Sequence, residues 1–380
     1  SQQEDALGII DRWTIGFHYQ HLKEDSIADY DDDFGTMDAS SKYENESYAL
    51  FGQTAHDFSQ TTRIIVGLRV EQYEVDARSK GMDSGYYDGR LNNGSSSEDG
   101  TLWGGKITLE HDLNKNHTLF ASAARGYKAG GANVSTFSFG FDPKTYEDET
   151  LYNFELGLRS DWYEAAVTTQ ITGFYLQRQN AQLRDSVGAG GFFRYLTVNG
   201  NDASHYGLEA EATWQIDENW SVSAGFGLLE TTRDSYTAFD SDESIDDSLD
   251  VDDIDDPVAV QIDSRSLANA PNYNYFLRIN YQPESGLFAH IELTGSDSYY
   301  ESNSHDEKRS EFALVNAAIG YRYENWTFTL WAKNLFDERY EKRIFYFNNF
   351  HPDDAYARVN RRYENPANPS TFGVTANYSW

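Results

Sequence analysis

The chain has 380 residues, of which 39% are hydrophobic and 15% aromatic, and 62 acidic against 30 basic residues give a net charge of −32. Nucleic acid is excluded as a partner, because phosphate binding requires a basic surface. No stretch approaches the roughly 18 apolar residues that a membrane-spanning helix requires, which excludes a helical membrane protein. A β-barrel is not excluded, since only alternate residues of a barrel strand meet lipid.

Alternation of apolar and polar residues begins near Trp13 and recurs along the whole chain. In the clearest case, residues 206–216, Leu208 and Ala210 alternate with Glu209 and Glu211. A period of two over this length indicates β-strands. We predict about 14 strands, at residues 12–22, 45–58, 62–76, 101–113, 117–128, 150–161, 165–185, 192–216, 220–236, 264–282, 287–301, 310–323, 326–345 and 369–380.

Short and long connections alternate between these strands. The short ones are residues 59–60, 114–116, 217–219, 283–286 and 324–325, and the long ones lie near 23–44, 77–100, 129–149, 237–263 and 346–368. Short periplasmic turns alternating with long extracellular loops are typical of outer-membrane barrels. The pattern predicts an all-β protein in which residues 1–380 form part of a transmembrane antiparallel β-barrel.

Tryptophan placement supports a membrane barrel. Residues 372–380 alternate strictly and end on an aromatic residue, Trp380. Six of the eight tryptophans lie at one end of the predicted strands, beside a short turn or a chain end: Trp13, Trp162, Trp214, Trp220, Trp326 and Trp380. An aromatic girdle at a membrane interface predicts this clustering.

The other face of the predicted strands carries charges of both signs. We predict that this face lines the lumen, with Arg69, Lys106, Glu155, Arg159, Glu209, Glu211, Arg278 and Glu292. A narrow barrel filled with side chains could not hydrate so many charges at low cost. A wide or plugged lumen is therefore expected.

Seven short motifs occur in a fixed order along these strands. They are residues 124–131 (ARGYKAGG), 154–160 (FELGLRS), 206–211 (YGLEAE), 270–273 (APNY), 314–316 (LVN), 333–340 (KNLFDERY) and 369–374 (PSTFGV). Each is short, but their order and spacing together are specific. The series resembles the barrel of TonB-dependent outer-membrane receptors over nearly the whole chain.

The resemblance implies a 22-stranded barrel around an N-terminal plug. Counted back from Trp380, the chain resembles strands 9–22, and the plug, the TonB box and the first strands have no counterpart in it. TonB is expected as a partner only through that N-terminal part. We expect the remaining strands to lie outside this sequence. A separate chain, or closure of the 14 strands on themselves, would also satisfy the exposed edges.

The resemblance implies a Gram-negative outer-membrane receptor for TonB-dependent uptake of a scarce nutrient, such as an iron chelate, cobalamin or an oligosaccharide. Membrane lipid and a small-molecule nutrient are the expected partners. The alternative is a passive 14-stranded porin or a structural outer-membrane protein. Enzymatic activity is not expected, because the nine histidines show no HExxH spacing and no serine sits in a GxSxG motif.

Two sets of residues are candidate ligand contacts. Near the outer end of one strand these are Arg125, Tyr127 and Lys128, and in the last long loop Phe345, Tyr346 and Phe347. Aromatic side chains at a loop tip can stack on sugars or aromatic ligands. Packing at the barrel rim or between loops explains either set equally well.

The loop from Asp240 to Asp256 is strongly acidic. Clustered carboxylates suit Ca²⁺, and the candidate ligands are Asp246, Asp247, Asp250, Asp252 and Asp253. The spacing matches no EF-hand loop, and a solvated acidic loop explains the same composition. No other cofactor is expected.

Overall fold

The computed structural model describes residues 12–32, 35–85, 94–134, 144–164, 166–189, 192–240, 258–302, 307–351 and 354–380. These residues contain no helix long and apolar enough to cross a membrane. Their strands are β1 (Arg12–Asp32), β2 (Gly35–Asp57), β3 (Thr62–Gly85), β4 (Gly94–Asn114), β5 (His117–Lys128), β6 (Gly131–Ala132), β7 (Thr145–Tyr146), β8 (Glu149–Trp162), β9 (Val167–Gln179), β10 (Gln182–Ala189), β11 (Phe192–Asn199), β12 (Ala203–Gln215), β13 (Trp220–Arg233), β14 (Tyr236–Asp240), β15 (Val258–Ile262), β16 (Tyr273–Tyr281), β17 (Leu287–Ser296), β18 (Tyr299–Tyr300), β19 (Lys308–Arg309), β20 (Phe312–Tyr323), β21 (Trp326–Lys333), β22 (Glu341–His351), β23 (Asp354–Pro366) and β24 (Thr371–Tyr378).

Fourteen strands form one antiparallel sheet, which confirms the predicted strand number and class. Its order is β1-β2-β3-β4-β5-β8-β9-β12-β13-β16-β17-β20-β21-β24. The remaining strands pair in five two-stranded sheets that lie in the connections between strands of the large sheet. In the described ladders β1 pairs only with β2, and β24 only with β21. These two strands therefore form the edges of the sheet.

The predicted strands 165–185 and 192–216 are longer than the sheet strands found there. Strand β9 ends at Gln179, and Asn180 adopts a left-handed conformation with φ of 56°. The chain then forms the separate hairpin β10–β11 before it re-enters the sheet as β12. Alternation continues through the hairpin, so the sequence pattern alone does not separate it from the barrel strands.

Two connections predicted as long loops continue instead as paired strands of the fourteen-stranded sheet. Strands β1 and β2 remain paired up to Asp32 and Gly35, and β3 and β4 up to Ser79 and Gly94. A strand rises about 3.3 Å per residue, so β1 continues about 30 Å beyond residue 22, the predicted end of the first strand. The first four strands of the sheet thus extend well past the shorter β16, β17 and β21.

Directly opposed residues of neighbouring strands lie on the same face of a sheet, so the pairing register defines two faces. One row runs through Leu109, Ala121, Leu156, Gly173, Leu208 and Leu228. The row on the other face contains Glu110, Phe120, Gly157, Thr172 and Glu209. We call these the apolar face and the polar face. On the apolar face, Leu156 is 58% exposed and Leu208 39%, an arrangement that a soluble protein rarely shows.

Five of the six tryptophans predicted to form a girdle lie on the apolar face, at the end that carries the short connections, and Trp380 follows the end of β24 there. All six side chains are exposed, and the register places Trp214 opposite Val222 and Trp326 opposite Tyr378. Tyrosines join them, with the rings of Trp220 and Tyr281 4.5 Å apart. The predicted aromatic belt is confirmed.

Candidate ligand path and outer mouth

The polar face brings together every residue predicted to line the lumen. The register places on it Arg69, Lys106, Glu155, Arg159, Glu209, Glu211, Arg278 and Glu292. Arg278 and Glu292 are direct cross-strand neighbours. One continuous surface of mixed charge therefore crosses most of the sheet.

Ion pairs organise this face near the short connections. Glu110 accepts a hydrogen bond from Arg159 at 3.0 Å and lies 3.6 Å from Arg63. Arg63 in turn donates to Asp57 at 2.6 Å. Two cations thus share one carboxylate, and the charges are held in a network along the wall.

Aromatic rings on the polar face lie flat over glycines of the neighbouring strand. Six directly opposed pairs of a Phe or Trp with a glycine show this arrangement: Phe51 with Gly16, Phe120 with Gly157, Phe174 with Gly207, Phe276 with Gly225, Phe288 with Gly320 and Trp331 with Gly373. A Cβ on Gly157 would collide with the Phe120 ring and lie 2.9 Å from the Ile171 carbonyl oxygen. Because these rings lie against the neighbouring strand, they leave the space beside the polar face open.

Cations cover four of these six rings, a feature that the sequence analysis missed. The stacked pairs, with the distance from the cation to the ring centre, are Arg69 over Phe51 (5.9 Å), Arg159 over Phe120 (4.4 Å), Arg322 over Phe288 (4.7 Å) and Lys333 over Trp331 (5.6 Å). The sequence signal for this stacking is a glycine followed two residues later by an arginine, as in Gly157 and Arg159. This spacing can be interpreted only when the pairing register of the neighbouring strands is known.

Beyond the charged part of β3, the polar side of the sheet becomes apolar and buried. Tyr73, Val75 and Ala77 pack there with Leu102 and with Ala132 of β6. The connection after β5 therefore folds onto the inner side of the sheet. Burial of apolar surface holds it there.

Gly130 permits this close approach. Its backbone N–H donates to the Tyr73 hydroxyl at 3.2 Å. A Cβ at this position would lie 2.7 Å from the Tyr146 carbonyl oxygen and 2.8 Å from the Tyr73 hydroxyl. The glycine of the 124–131 motif is thus needed for packing at the outer mouth.

The candidate residues at the end of β5 do not converge on one point. Arg125 covers the ring of Trp103, a residue of the apolar face, at 4.2 Å and donates to the Thr150 hydroxyl at 3.0 Å. Tyr127 instead reaches polar-face groups, donating to Glu71 at 2.7 Å and accepting from Arg69 at 2.9 Å. Lys128 is exposed at the end of the strand.

A buried ion pair ties the outer connections to the sheet. Arg178 donates to both carboxylate oxygens of Glu149, at 2.6 and 2.8 Å, and the Glu149 side chain is 2% exposed. The Gln182 backbone N–H donates to the same carboxylate at 2.7 Å. The Gln182 side chain donates to the carbonyl oxygens of Ala129 and Glu147, at 2.8 and 2.9 Å. Strands β8 and β9, the hairpin β10–β11 and the connection after β5 thus meet at one carboxylate.

A second network joins the connections after β17 and β21. Arg309 donates to the Glu341 carbonyl oxygen at 2.9 Å and lies 5.0 Å from the centre of the Tyr299 ring. Its guanidinium is 3.5 Å from the Glu301 carboxylate. Burial raises the pKa of Glu301 above its usual value, and the nearby Arg309 charge opposes this rise. The network stabilises this part of the mouth.

The motif at 333–340 forms a turn around a buried asparagine. Asn334 has a φ of 49° and is 6% exposed. Its side chain accepts from the Glu338 N–H at 2.8 Å and donates to the carbonyl oxygens of Glu338 and Asn368, at 2.9 and 3.1 Å. Its own N–H donates to Asn316 of the 314–316 motif at 3.0 Å. Two of the seven motifs are thus parts of one hydrogen-bonded structure.

Asp337, in the same turn, holds the return of the chain to β24. Its carboxylate accepts from the Ser370 backbone N–H at 2.9 Å and from Arg339 at 2.7 Å. Both hydrogen bonds favour the charged form and hold the pKa of Asp337 below its usual value. The turn is therefore stabilised by an ionised carboxylate at neutral pH.

The remaining candidate residues are only partly within the described structure. The Phe345 ring stacks on Tyr363, with centres 5.3 Å apart. Tyr346 and Phe347 belong to strand β22, and their side chains lie outside the described part. The calcium candidates between Asp246 and Asp253 lie outside the described residues, within which no group of three His, Asp or Glu side chains could hold a metal ion.

Solved structures share this fold. The chain superposes with a TM-score of 0.74 on the ferric yersiniabactin uptake receptor FyuA from Yersinia pestis, at 18% identity, covering 99% of this chain and 52% of that one. The siderophore receptor PiuA from Acinetobacter baumannii gives 0.66 at 12% identity, covering 96% and 56%. The copper transporter OprC gives 0.62 at 16% identity, covering 97% and 59%.

Sequence comparison agrees with the fold. The metal-pseudopaline receptor CntO of Pseudomonas aeruginosa is 22% identical over 321 residues, covering 82% of this chain and 40% of that protein. The chain thus spans less than half of this relative. The family model described as TonB dependent receptor-like, beta-barrel, matches residues 2–335. The chain belongs to the TonB-dependent receptor family, as part of its β-barrel.

Proposed function

We propose that this chain forms part of a receptor that imports a metal chelate. The protein is an outer-membrane β-barrel of the TonB-dependent receptor family. The proteins that it resembles are named as a ferric yersiniabactin uptake receptor, a siderophore receptor, a copper transporter and a metal-pseudopaline receptor. Among the nutrients considered from the sequence, these names favour a metal chelate over cobalamin or an oligosaccharide.

The observation that carries the proposal is the two-faced sheet with a structured outer mouth. In a membrane barrel the apolar face meets lipid, so the polar face lines the lumen. The chelate binds first at the outer connections, which the Glu149 and Arg309 networks hold in place. The mixed charges of the polar face suit passage of a hydrated solute and require no covalent chemistry.

Uptake of a metal supplied with its chelator tests this function. Cells lacking the protein are grown under metal limitation, and intracellular metal is measured by mass spectrometry after addition of a panel of iron, copper and zinc chelates. We expect accumulation of at least one chelate to require both the protein and TonB. Accumulation that continues without TonB, or no deficit with any chelate, would contradict the proposal.

A passive 14-stranded porin remains the alternative that the sequence raised. In the described ladders the sheet has two edges, β1 and β24, that do not pair with each other. Unpaired edges are costly in lipid, so we propose that further strands cover them. Liposome swelling separates the two functions, because a porin admits sugars of its size class without TonB.

A further inference from the structure

The connection after β5 begins with residues 129–134, which cross the inner side of β3 and β4; we call this segment the strap. The Gly130 N–H donates to the Tyr73 hydroxyl at 3.2 Å. Ala132 packs with Tyr73 and Val75 in the buried apolar cluster. Burial of apolar surface and a small number of hydrogen bonds therefore hold the strap on the sheet.

The Glu98 side chain lies against the strap. Glu98 of β4 is directly opposite the buried Val75 of β3, so its side chain is on the inner side of the sheet. Its Cγ atom lies 3.1 Å from the position that a Cβ on Gly130 would occupy. Within the described part of the chain, Glu98 forms no ion pair and no hydrogen bond. The strap thus covers part of a carboxylate that has no cationic partner.

Neighbouring carboxylates make ionisation of Glu98 unfavourable. Glu147 and Asp148 belong to the connection that leads into β8, and Asp99 is the next residue of β4. Burial raises the pKa of Glu98 above its usual value, and the negative charges of Glu147, Asp99 and Asp148 raise it further.

The basic residues near the strap do not offset this repulsion. The Lys144 ammonium lies 4.0 Å from the position that a Cβ on Gly94 would occupy. Gly94 is four residues, or about 13 Å, before Glu98 in β4. Lys128 is exposed, and its positive charge acts on Glu149. Four phenols, which are neutral near pH 7, pack in the apolar cluster or against the strap: Tyr43, Tyr73, Tyr127 and Tyr146.

Glu98 lies outside the membrane-spanning part of the sheet. It is three residues beyond Thr101, which is directly opposite Gln72. Gln72 in turn opposes Tyr48 of the outward tyrosine pair Tyr19–Tyr48. Tyrosines of this kind mark the edge of the hydrocarbon region. Because Glu98 is only half-buried, protons reach it from the water outside the membrane.

Protonation of Glu98 and seating of the strap are linked. When the strap leaves the sheet, Glu98 is hydrated and its pKa returns toward the ordinary value of a Glu side chain. The seated strap gives the higher pKa, so it binds more protons than the released strap. The seated state is therefore most favoured below the ordinary pKa of Glu98, and it is destabilised as pH rises through the raised pKa.

We propose that Glu98 makes the strap a proton-sensitive latch of the outer mouth. Protonation of its carboxylate holds the strap on β3 and β4, and ionisation favours release of the strap. Release uncovers the apolar surface of Tyr73, Val75 and Ala77 on the inner wall. The latch depends on these contacts and not on the imported solute, so its test is independent of the uptake assay.

Hydrogen exchange of the strap at two pH values tests the latch. The full-length protein in lipid vesicles is analysed by mass spectrometry, and each exchange rate is corrected for the intrinsic effect of pH. The amide of Gly130 is the reporter, because it donates to Tyr73 only when the strap is seated. We expect the protection of residues 129–134 to be about fivefold higher at about pH 5 than at about pH 8. In Glu98→Gln, which carries no charge there, protection should stay at the higher level at both pH values.

Two further variants identify the cause of the pH dependence. Asp148→Asn removes one of the repelling charges, so we expect the change in protection to move to lower pH. Glu74→Gln removes an exposed carboxylate from the outward side of β3 and should keep the wild-type dependence. Equal protection of the wild-type strap at both pH values, or the wild-type dependence in Glu98→Gln, would overturn the latch. An unchanged midpoint in Asp148→Asn would overturn the part assigned to the neighbouring carboxylates.

Discussion

Individual residues at turns and close contacts explain the composition of the short motifs in this chain. Asn334 combines a left-handed backbone with three side-chain hydrogen bonds in a buried position. Asparagine tolerates this backbone region better than most residues and offers both a donor and an acceptor. The motif around it is therefore dictated by one turn at the outer end of β21.

Replacement of Asn334 separates its two roles. Asn334→Gly keeps the backbone conformation and loses the side-chain hydrogen bonds, which we expect to cost about 1–3 kcal/mol locally. Asn334→Ala loses the same bonds and adds about 1 kcal/mol of backbone strain. Hydrogen exchange at the Glu338 amide measures both effects. Equal protection in the alanine and glycine variants would show that φ is unimportant, and wild-type protection in both would contradict the assigned role.

The ring of Phe120 over Gly157 gives a second prediction at this scale. Gly157→Ala places a methyl group against the ring and 2.9 Å from the Ile171 carbonyl oxygen, and we expect overpacking of about 1–3 kcal/mol. Gly173→Ala is the matched control, because the nearest atom is 3.9 Å from the added Cβ. Urea unfolding in lipid vesicles measures both variants. Similar midpoints for the two would contradict the ring-over-glycine packing.

At the scale of elements, one buried carboxylate joins strands and connections. Glu149→Gln leaves the Arg178 charge without its partner, and breaking a buried pair of this kind costs about 3 kcal/mol. We expect loss of amide protection at Gln182 and faster proteolysis between β5 and β8. The pair Asp337–Arg339 is the control, since its side chains are 44% and 75% exposed. Arg339→Gln should cost about 1 kcal/mol or less.

If Glu149→Gln and Arg339→Gln lowered the stability of the outer connections equally, the central position of Glu149 would be contradicted. The double variant Glu149→Gln/Arg178→Gln refines the test. Removing both charges relieves the unpaired cation, so we expect it to lose less stability than Glu149→Gln alone. Hydrogen exchange at Gln182 provides the comparison.

Sequence periodicity predicted much of the sheet and less of its connections. The strands around Leu208 and Glu209 alternate cleanly because one face is apolar throughout. The hairpin β10–β11 alternates as well, so only the turn at Asn180 reveals that the chain has left the sheet. Likewise, β1 and β2 stay paired up to Asp32 and Gly35 after their apolar residues end. Backbone pairing there requires no apolar face.

The candidate sites were harder to predict, because they depend on pairing between distant residues. Charged positions such as Arg159 could be assigned to one face from alternation alone. The stacking of Arg159 over Phe120 requires the pairing of β5 with β8. Arg125 and Tyr127 are two residues apart, yet they contact opposite faces; the described ladder of β4 and β5 ends at Arg125, while β5 stays paired with β8 up to Lys128. Strict alternation fails beyond such a point.

At the scale of the whole molecule, the account depends on the orientation of the two faces. The apolar row through Leu156 and Leu208 must lie against hydrocarbon, and the row through Glu209 must border water. The uptake path and the aromatic belt both follow from this orientation. A reversed sheet would put the aromatic belt inside and expose the charges to lipid, at a cost of several kcal/mol.

Spin-label accessibility along β12 measures this orientation most directly. The chain has no cysteine, so single cysteines at Leu208, Glu209, Ala210 and Glu211 can each carry one nitroxide label in lipid vesicles. We predict that oxygen, which concentrates in lipid, relaxes the labels at 208 and 210, and that a water-soluble nickel chelate relaxes those at 209 and 211. The opposite alternation, or no alternation, would contradict the account.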